Sequence, residues 1–190
     1  MSPVPSFDGR GLIPPLIGSD ETTHDRAPYM ATMTELVTSL GTTPWRENLL
    51  FGLLEYRALL AHHGYTDGLQ FIDGSFVENV ELRESRDPGD IDVFSFLTRP
   101  AAYQQNPTLW ATTGFPIWST ELMNRNRNKG RFLLDTYGLA VDEHGPLTLM
   151  DATIYWYSLF SHRRVTHEWK GFLRVPLNPA DDAAARAMIV

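Results

Sequence analysis

The sequence contains no cysteine, which excludes disulfide staples and thiolate zinc sites and leaves no mark of an oxidising compartment. It also lacks a basic segment followed by an apolar one at its start, MSPVPSFDGRG. The most apolar window, LLFGLLEYRALLA, is short and is interrupted by Glu55 and Arg57, so no stretch reads as a leader or a membrane span. These absences predict a cytoplasmic protein without membrane contact. Basic charge is scarce too: 16 Lys and Arg stand against 23 Asp and Glu, a net charge of −7. That argues against a broad DNA-binding surface, because phosphate neutralisation takes clustered Lys and Arg, and it leaves room for a small local basic site. What the chain does have is apolar bulk, 43% hydrophobic and 12% aromatic over 190 residues. That suffices for one core, hence one domain spanning residues 1–190, and it says nothing of oligomeric state.

Four prolines, Pro3, Pro5, Pro14 and Pro15, precede Asp20, and with no steady period before residue 30 they predict an extended arm lying on the domain. Thr32 and Glu35 form a capping box for a helix whose apolar stripe is Met33, Leu36, Val37 and Leu40, stopped at Gly41. Thr43-Pro44 opens a second helix with Trp45, Leu49, Leu53, Tyr56 and Leu60 on one face, ending near His63-Gly64. LQFID, IDVFSFL, YGLAVD and EWKGFLRVPL read as strands. Pro107 to Phe115 breaks the pattern, and helices are expected over Pro116 to Asn124 and over TLMDATIYWYSLFSHRR. This alternation predicts an α/β or α+β domain built on one sheet.

The chemistry concentrates in FIDGSFVENVELRESRDPGDIDVFSF. Alternate strand residues share a face, so Asp90, Asp92, Phe94 and Phe96 point one way. At about 3.3 Å per residue the Cα atoms of Asp90 and Asp92 lie about 6.6 Å apart, close enough for both carboxylates to hold one divalent ion or a pair. Oxygen-only ligands suit magnesium or manganese. Without a cation the two carboxylates repel. Gly74-Ser75 follows a strand, where glycine permits a tight turn with amides facing a phosphate and the serine hydroxyl donates one more hydrogen bond. Together the two elements divide the work of phosphoryl transfer, one holding phosphates and the other the metal that bridges them.

Gly74-Ser75 followed by Asp90-Ile91-Asp92-Val93 resembles the signature of the DNA polymerase β-like nucleotidyltransferase superfamily, with a longer joining segment than in minimal members. GLIPP, APYMATMTELV, TTPWRENLL, YWYSLFSHRR and WKGFLRVPL extend the likeness to a family of uncharacterised bacterial nucleotidyltransferase-like proteins. The resemblance implies a mixed sheet flanked by helices with the palm-like fold of polymerase β. It also implies two magnesium ions held by three carboxylates, a nucleoside triphosphate as substrate, and transfer of a nucleoside monophosphate with release of pyrophosphate. Superfamily members modify RNA, proteins and small molecules, so the nucleotide and a protein or RNA acceptor are the implied partners.

Asp90 and Asp92 map to the first two carboxylates. The third is expected just after a Tyr-Gly pair, and Tyr137-Gly138 places Ala140 there. Asp142, two residues on, shares the strand face and takes the role if the register is shifted or bulged. Asp151 is a rival explained by capping at a helix start, and Asp135 precedes the predicted strand. If none of them fits, the chain is a catalytically reduced binding protein, for example a component of a bacterial toxin–antitoxin or phage-defence pair.

NRNRNKGR gathers Arg125, Arg127, Lys129 and Arg131, either as a triphosphate or RNA clamp, with Lys129 and Arg131 as its candidate phosphate ligands, or as a solvated loop. Lys170 in WKGF reads as a phosphate ligand or a strand-edge lysine, and SHRR as a helix end with cations on its dipole. Tyr155, Trp156, Tyr157 and Phe160 read as core rather than a nucleobase platform. The histidines lack ligand spacing, and Asp73 reads as a turn-fixing residue.

Overall fold

In the computed structural model, residues 4–189 are described; the first three residues of the expected arm, including Pro3, and residue 190 lie outside them. The strands are β1 (Tyr29–Met30), β2 (Gly68–Asp73), β3 (Ile91–Leu97), β4 (Leu134–Ala140) and β5 (Leu173–Pro176). The helices are α1 (Met33–Leu40), α2 (Pro44–His62), α3 (Val80–Glu84), α4 (Ala101–Gln105), α5 (Pro107–Leu109), α6 (Phe115–Ile117), α7 (Arg125–Phe132), α8 (Pro146–Phe160) and α9 (Pro179–Arg186). The strands form one five-stranded mixed sheet in the order β1-β5-β2-β3-β4. β2 runs antiparallel to both neighbours, while β1 with β5 and β3 with β4 are parallel pairs. The protein is therefore an α+β fold, a mixed sheet flanked by helices. No helix among the described residues is long and apolar enough to cross a membrane.

From Val4 on, the N-terminal segment lies along the domain with Val4, Leu12 and Ile13 buried, and Tyr29 Oη donates to the Pro14 carbonyl at 2.8 Å. The capping box at Thr32 and Glu35 and the cap at Thr43 are both formed. Elsewhere the structure corrects the expected boundaries. Residues 107–122 are helical, as α5 and α6 alternate with wider π-type turns at Trp110–Gly114 and Trp118–Leu122. Asn106 caps this run by accepting from Leu109 N at 3.0 Å, and Pro107 sits at its first turn, so the prolines start helix rather than break it.

NRNRNKGR is not a loop but α7, capped by Asn124 Oδ1 accepting from Arg127 N at 3.1 Å. Leu133, with φ 58°, ends α7 in the left-handed conformation, and the next residue already pairs with Ile91. β4 thus starts three residues ahead of the expected YGLAVD, taking Asp135 into the sheet and leaving Asp142 in the turn Val141–Glu143 beyond it.

One sheet face is closed by α2, α7 and α9. Gln70 and Ser95, on that face, are joined by a 3.0 Å hydrogen bond, and Arg57 from α2 donates to Gln70 Oε1 at 2.7 Å. Asn128 of α7 donates to Thr136 Oγ1 of β4 at 2.8 Å. α2 approaches the end of α7 so closely that a Cβ on Gly52 would lie 2.1 Å from the Phe132 carbonyl oxygen. Gly52→Ala forces these backbones apart, with an expected loss of about 3 kcal/mol, read by urea titration against the wild-type chain.

The other face carries, in three adjacent columns, Leu69, Phe71 and Asp73 on β2, Phe96, Phe94 and Asp92 on β3, and Leu139, Tyr137 and Asp135 on β4. α8 lies over it, with Trp156 stacked on Phe94 at 4.4 Å between ring centres.

Candidate functional site

The site lies where the polar ends of those three columns meet. β2 and β3 pair Asp73 with Asp92, and β3 and β4 pair Asp92 with Asp135, so three carboxylates stand side by side across the sheet. Asp90 precedes β3 by one residue and adds a fourth. Gly74 turns the chain at the end of β2 with φ 87°, a conformation only glycine adopts without strain. A Cβ there would lie 2.9 Å from Asp92 Oδ2. The glycine-serine turn thus lies against Asp92, and turn and aspartate pair form walls of one cavity of about 290 Å³, lined by Gly74, Ser75, Asp90, Asp92, Arg164 and Lys170 among others.

Each carboxylate has a cation. Lys129 Nζ lies 2.7 Å from Asp90 Oδ2, Arg164 Nη2 donates to Asp92 Oδ2 at 3.2 Å, and Arg125 forks onto Asp135. Lys129, Arg125 and Arg164 have largely exposed side chains, so these contacts are held at the solvent side. Burial raises the Asp92 carboxyl above its ordinary value; Arg164 opposes the shift, and the nearby charges of Asp90 and Asp135 add to it. Asp90, Asp92 and Asp135 therefore share one electrostatic site.

Beneath the turn, Lys170 is buried. Its Nζ lies 3.0 Å from Asp73 Oδ1 and donates to the Gly74 carbonyl and to Glu78 Oε1, each at 3.1 Å. Burial pushes Asp73 from 3.8 up to about 7, against the pull of Lys170 and of the Gly74 amide. Asp73 fixes the turn, as its sequence position suggests. Lys170 does the same, which differs from a strand-edge lysine and from a phosphate ligand, because its ammonium is already taken by three oxygens.

Gly74, Ser75, Asp90 and Asp92 come together as expected, with Lys129 beside Asp90. Arg131 does not join them: it leaves the opposite side of α7, its guanidinium over the Phe132 ring at 4.7 Å and near Phe51. Asp142 does not join them either. β3 and β4 pair without shift or bulge, and Ala140 stands opposite Leu97, at the far end of the ladder from Asp92 and Asp135. Asp135 and Ala140 are five strand steps apart, about 16 Å. Asp142 is engaged there by Arg99, whose Nε and backbone N donate at 2.7 and 3.0 Å. Asp151 is exposed on α8, more than a turn inside a helix whose N-cap is Gly145.

The carboxylate beside Asp92 is Asp135. Its sequence signal is Leu134-Asp135-Thr136-Tyr137, an alternation that begins directly after the basic run of α7. Among the aromatics, Trp156 and Phe160 are packed on the sheet as expected, but Tyr155 is exposed.

Residues 5–176 match a family of unknown function, DUF6932. The chain belongs to that family. No curated protein and no solved structure matches it. The DUF6932 region starts in the arm and ends with β5, so it contains the whole sheet, the glycine-serine turn, all four aspartates and their cations.

Proposed function

We propose that this DUF6932 chain is a nucleotidyltransferase of the polymerase β-like superfamily, binding a nucleoside triphosphate with magnesium or manganese and transferring the nucleoside monophosphate to a hydroxyl. The observation that carries the proposal is the contact between the two motif halves, Gly74 against Asp92, with Asp135 in register on the next strand. The strand–turn–helix entry from β2 through Ser75–Val77 and the antiparallel-then-parallel order of β2, β3 and β4 support the same reading.

The donor set suits a hard divalent cation: Asp90, Asp92 and Asp135 offer oxygen only, at the solvent end of the sheet. The carboxylates now face Lys129, Arg164 and Arg125, and no group of three converges on one point among the described residues. Binding a metal requires those cations to let go, and a polyphosphate is the partner that takes them. A magnesium ion bound there supplies charge stabilisation to the phosphates. The chain's own groups do the rest. The Gly74-Ser75 turn receives the terminal phosphates, and the three exposed cations neutralise them. The acceptor oxygen attacks the α-phosphorus, the bond to pyrophosphate breaks, and the hydroxyl proton passes to a carboxylate of the cluster.

The alternative is a binding-only protein: Ala140 at the expected third position motivates it and the cation held by each carboxylate favours it, while Asp135 beside Asp92 supports the transferase reading. Label transfer from α-labelled triphosphates, together with calorimetry, separates the two. The proposal expects magnesium-dependent transfer that falls to background in Asp90→Asn/Asp92→Asn. Unchanged transfer in that variant overturns the mechanism, and nucleotide binding without product in the wild type leaves the binding-only reading.

A further inference from the structure

Residues 76–89 join the two halves of the motif, and the start of α2 grips this segment at both ends. Arg46, fully buried, donates to the Phe76 carbonyl at 2.7 Å, to the Glu78 carbonyl, and to both carboxylate oxygens of Glu81. These bonds fix the stretch that follows the glycine-serine turn. Its chain neighbour Trp45 reaches the other end: the indole Nε1 donates to the Pro88 carbonyl at 2.7 Å, two residues ahead of Asp90. Trp45, spaced for the apolar face of α2, is 39% exposed and stands outside the core. The bond to Pro88, rather than core packing, is what its indole contributes.

The two aspartates of the motif are held in different ways. Asp92 is placed by the sheet, paired with Asp73 on one side and Asp135 on the other. Asp90 is not, because it precedes the first pair of the β3–β4 ladder, Ile91 with Leu134. Pro88 is buried, but Asp87 and Gly89 beside it are exposed, and a Cβ on Gly89 would meet no atom within 4 Å. Arg86 hydrogen-bonds to Glu84 and Asp87, its own neighbours. Among the described residues, the bond from Trp45 is therefore the one hydrogen bond that ties residues 86–89 to the body of the fold. The Asp90 side chain has a second tether, Lys129 Nζ at 2.7 Å.

We infer that Trp45 is a positioning residue for Asp90. The inference rests on the metal site proposed above: a metal there requires Lys129 to release Asp90, and the bond from Trp45 to Pro88 is then the tether that remains. Without it, the backbone freedom of the unpacked Gly89 passes directly to the carboxylate that follows. Groups that orient a ligand from outside the coordination sphere are worth about 10–100-fold in metal affinity. Trp45 touches neither metal nor substrate and acts through the two residues between Pro88 and Ile91.

Trp45→Phe tests it, since it keeps an aromatic ring at a half-exposed position and removes the N–H. Helix content is expected to stay unchanged. In the metal-free chain, nuclear magnetic relaxation of the Gly89 and Asp90 backbone amides is expected to report wider motion than in the wild type, with Asp92 unaffected. Manganese affinity, followed by electron paramagnetic resonance, is expected to fall about 10-fold. A mutant cycle shows through which residue the loss passes: it is expected to vanish in the Asp90→Asn background and to persist in full in Asp135→Asn. Unchanged motion at Gly89 and Asp90 overturns the tether, and an equal loss of manganese affinity in both backgrounds overturns action through Asp90. A wild-type chain that binds no manganese overturns the metal site instead, and the motions of the two amides then decide the tether alone.

Discussion

Asp135→Asn is expected to reduce nucleotide transfer by about 10²-fold or more, the scale set by removing one preorganised electrostatic group from a transition state, while Asp142→Asn leaves it within twofold. The contrast follows from register. Asp135 is the cross-strand neighbour of Asp92 in an unbroken parallel ladder, whereas Asp142 lies beyond the opposite end of that ladder, held by Arg99. Single-turnover transfer with α-labelled triphosphate measures both variants, and manganese binding followed by electron paramagnetic resonance provides a readout apart from turnover. Manganese affinity is expected to fall in Asp135→Asn and to be unchanged in Asp142→Asn. Asp135→Asn also frees Arg125, an exposed guanidinium, so loss of folding is not expected. Full activity in Asp135→Asn would remove Asp135 from the site, and equal losses in both variants would point to damage to the sheet rather than to chemistry.

Lys170→Met is expected to cost about 3–5 kcal/mol, the range for stripping one partner from a buried ion pair, and to lower Tm by about 10 °C for a chain of this size. Lys170 is buried under the glycine turn with Asp73, Glu78 and the Gly74 carbonyl around its ammonium. Methionine fills the volume but leaves those oxygens facing a thioether. Glu78 keeps Arg163, whose Nε donates to it at 2.9 Å, so Asp73 is the group left most exposed to the loss.

The pH dependence has a defined sign. Asp73 in the folded chain holds its proton up to about 7, against 3.8 for an ordinary aspartate. Between these values the folded state binds more protons than the unfolded one, so this group's contribution is fully present below pH 4 and is lost as pH rises through about 7. In Lys170→Met the ionised form of Asp73 has no counter-charge, and the loss of stability is expected to be greater at pH 8 than at pH 5. Urea titrations of both chains at the two pH values measure this; a loss independent of pH would mean that Asp73 stays ionised throughout.

The parts of this molecule legible in its sequence are those governed by local chemistry. The capping box at Thr32, the Thr43-Pro44 start, the stripe of α1 and the two strands around Gly74-Ser75 all follow from neighbouring residues. The face shared by Asp90 and Asp92 follows from the two-residue period of a strand. What was hidden depends on partners distant in sequence. The sequence leaves Arg125 and Lys129 open between a phosphate clamp and a solvated loop because their acids, Asp135 and Asp90, are found only once α7 packs against β4 and the end of β3. The start of β4 is set by Leu133 adopting a left-handed conformation, which its residue type does not announce. Asp135 therefore precedes the strand that residue type predicts and lies inside the one that forms. Lys170 sits two residues before an apolar strand run, and only the approach of β5 to β2 reveals it as an interior cation.

Arg57 sets a limit on how short the folded unit can be. The family region closes with β5 at Pro176, yet the buried Arg57 guanidinium donates to Asp182 Oδ1 at 2.8 Å, and Asp181 accepts from Met33 N at 2.6 Å to tie down the start of α1. Both acids belong to α9, beyond the region that defines the family. A chain cut at the family boundary would retain every residue of the site and lose the counter-ion of its most deeply buried arginine. The piece recognised by descent and the piece that holds together thermodynamically therefore differ by one short helix.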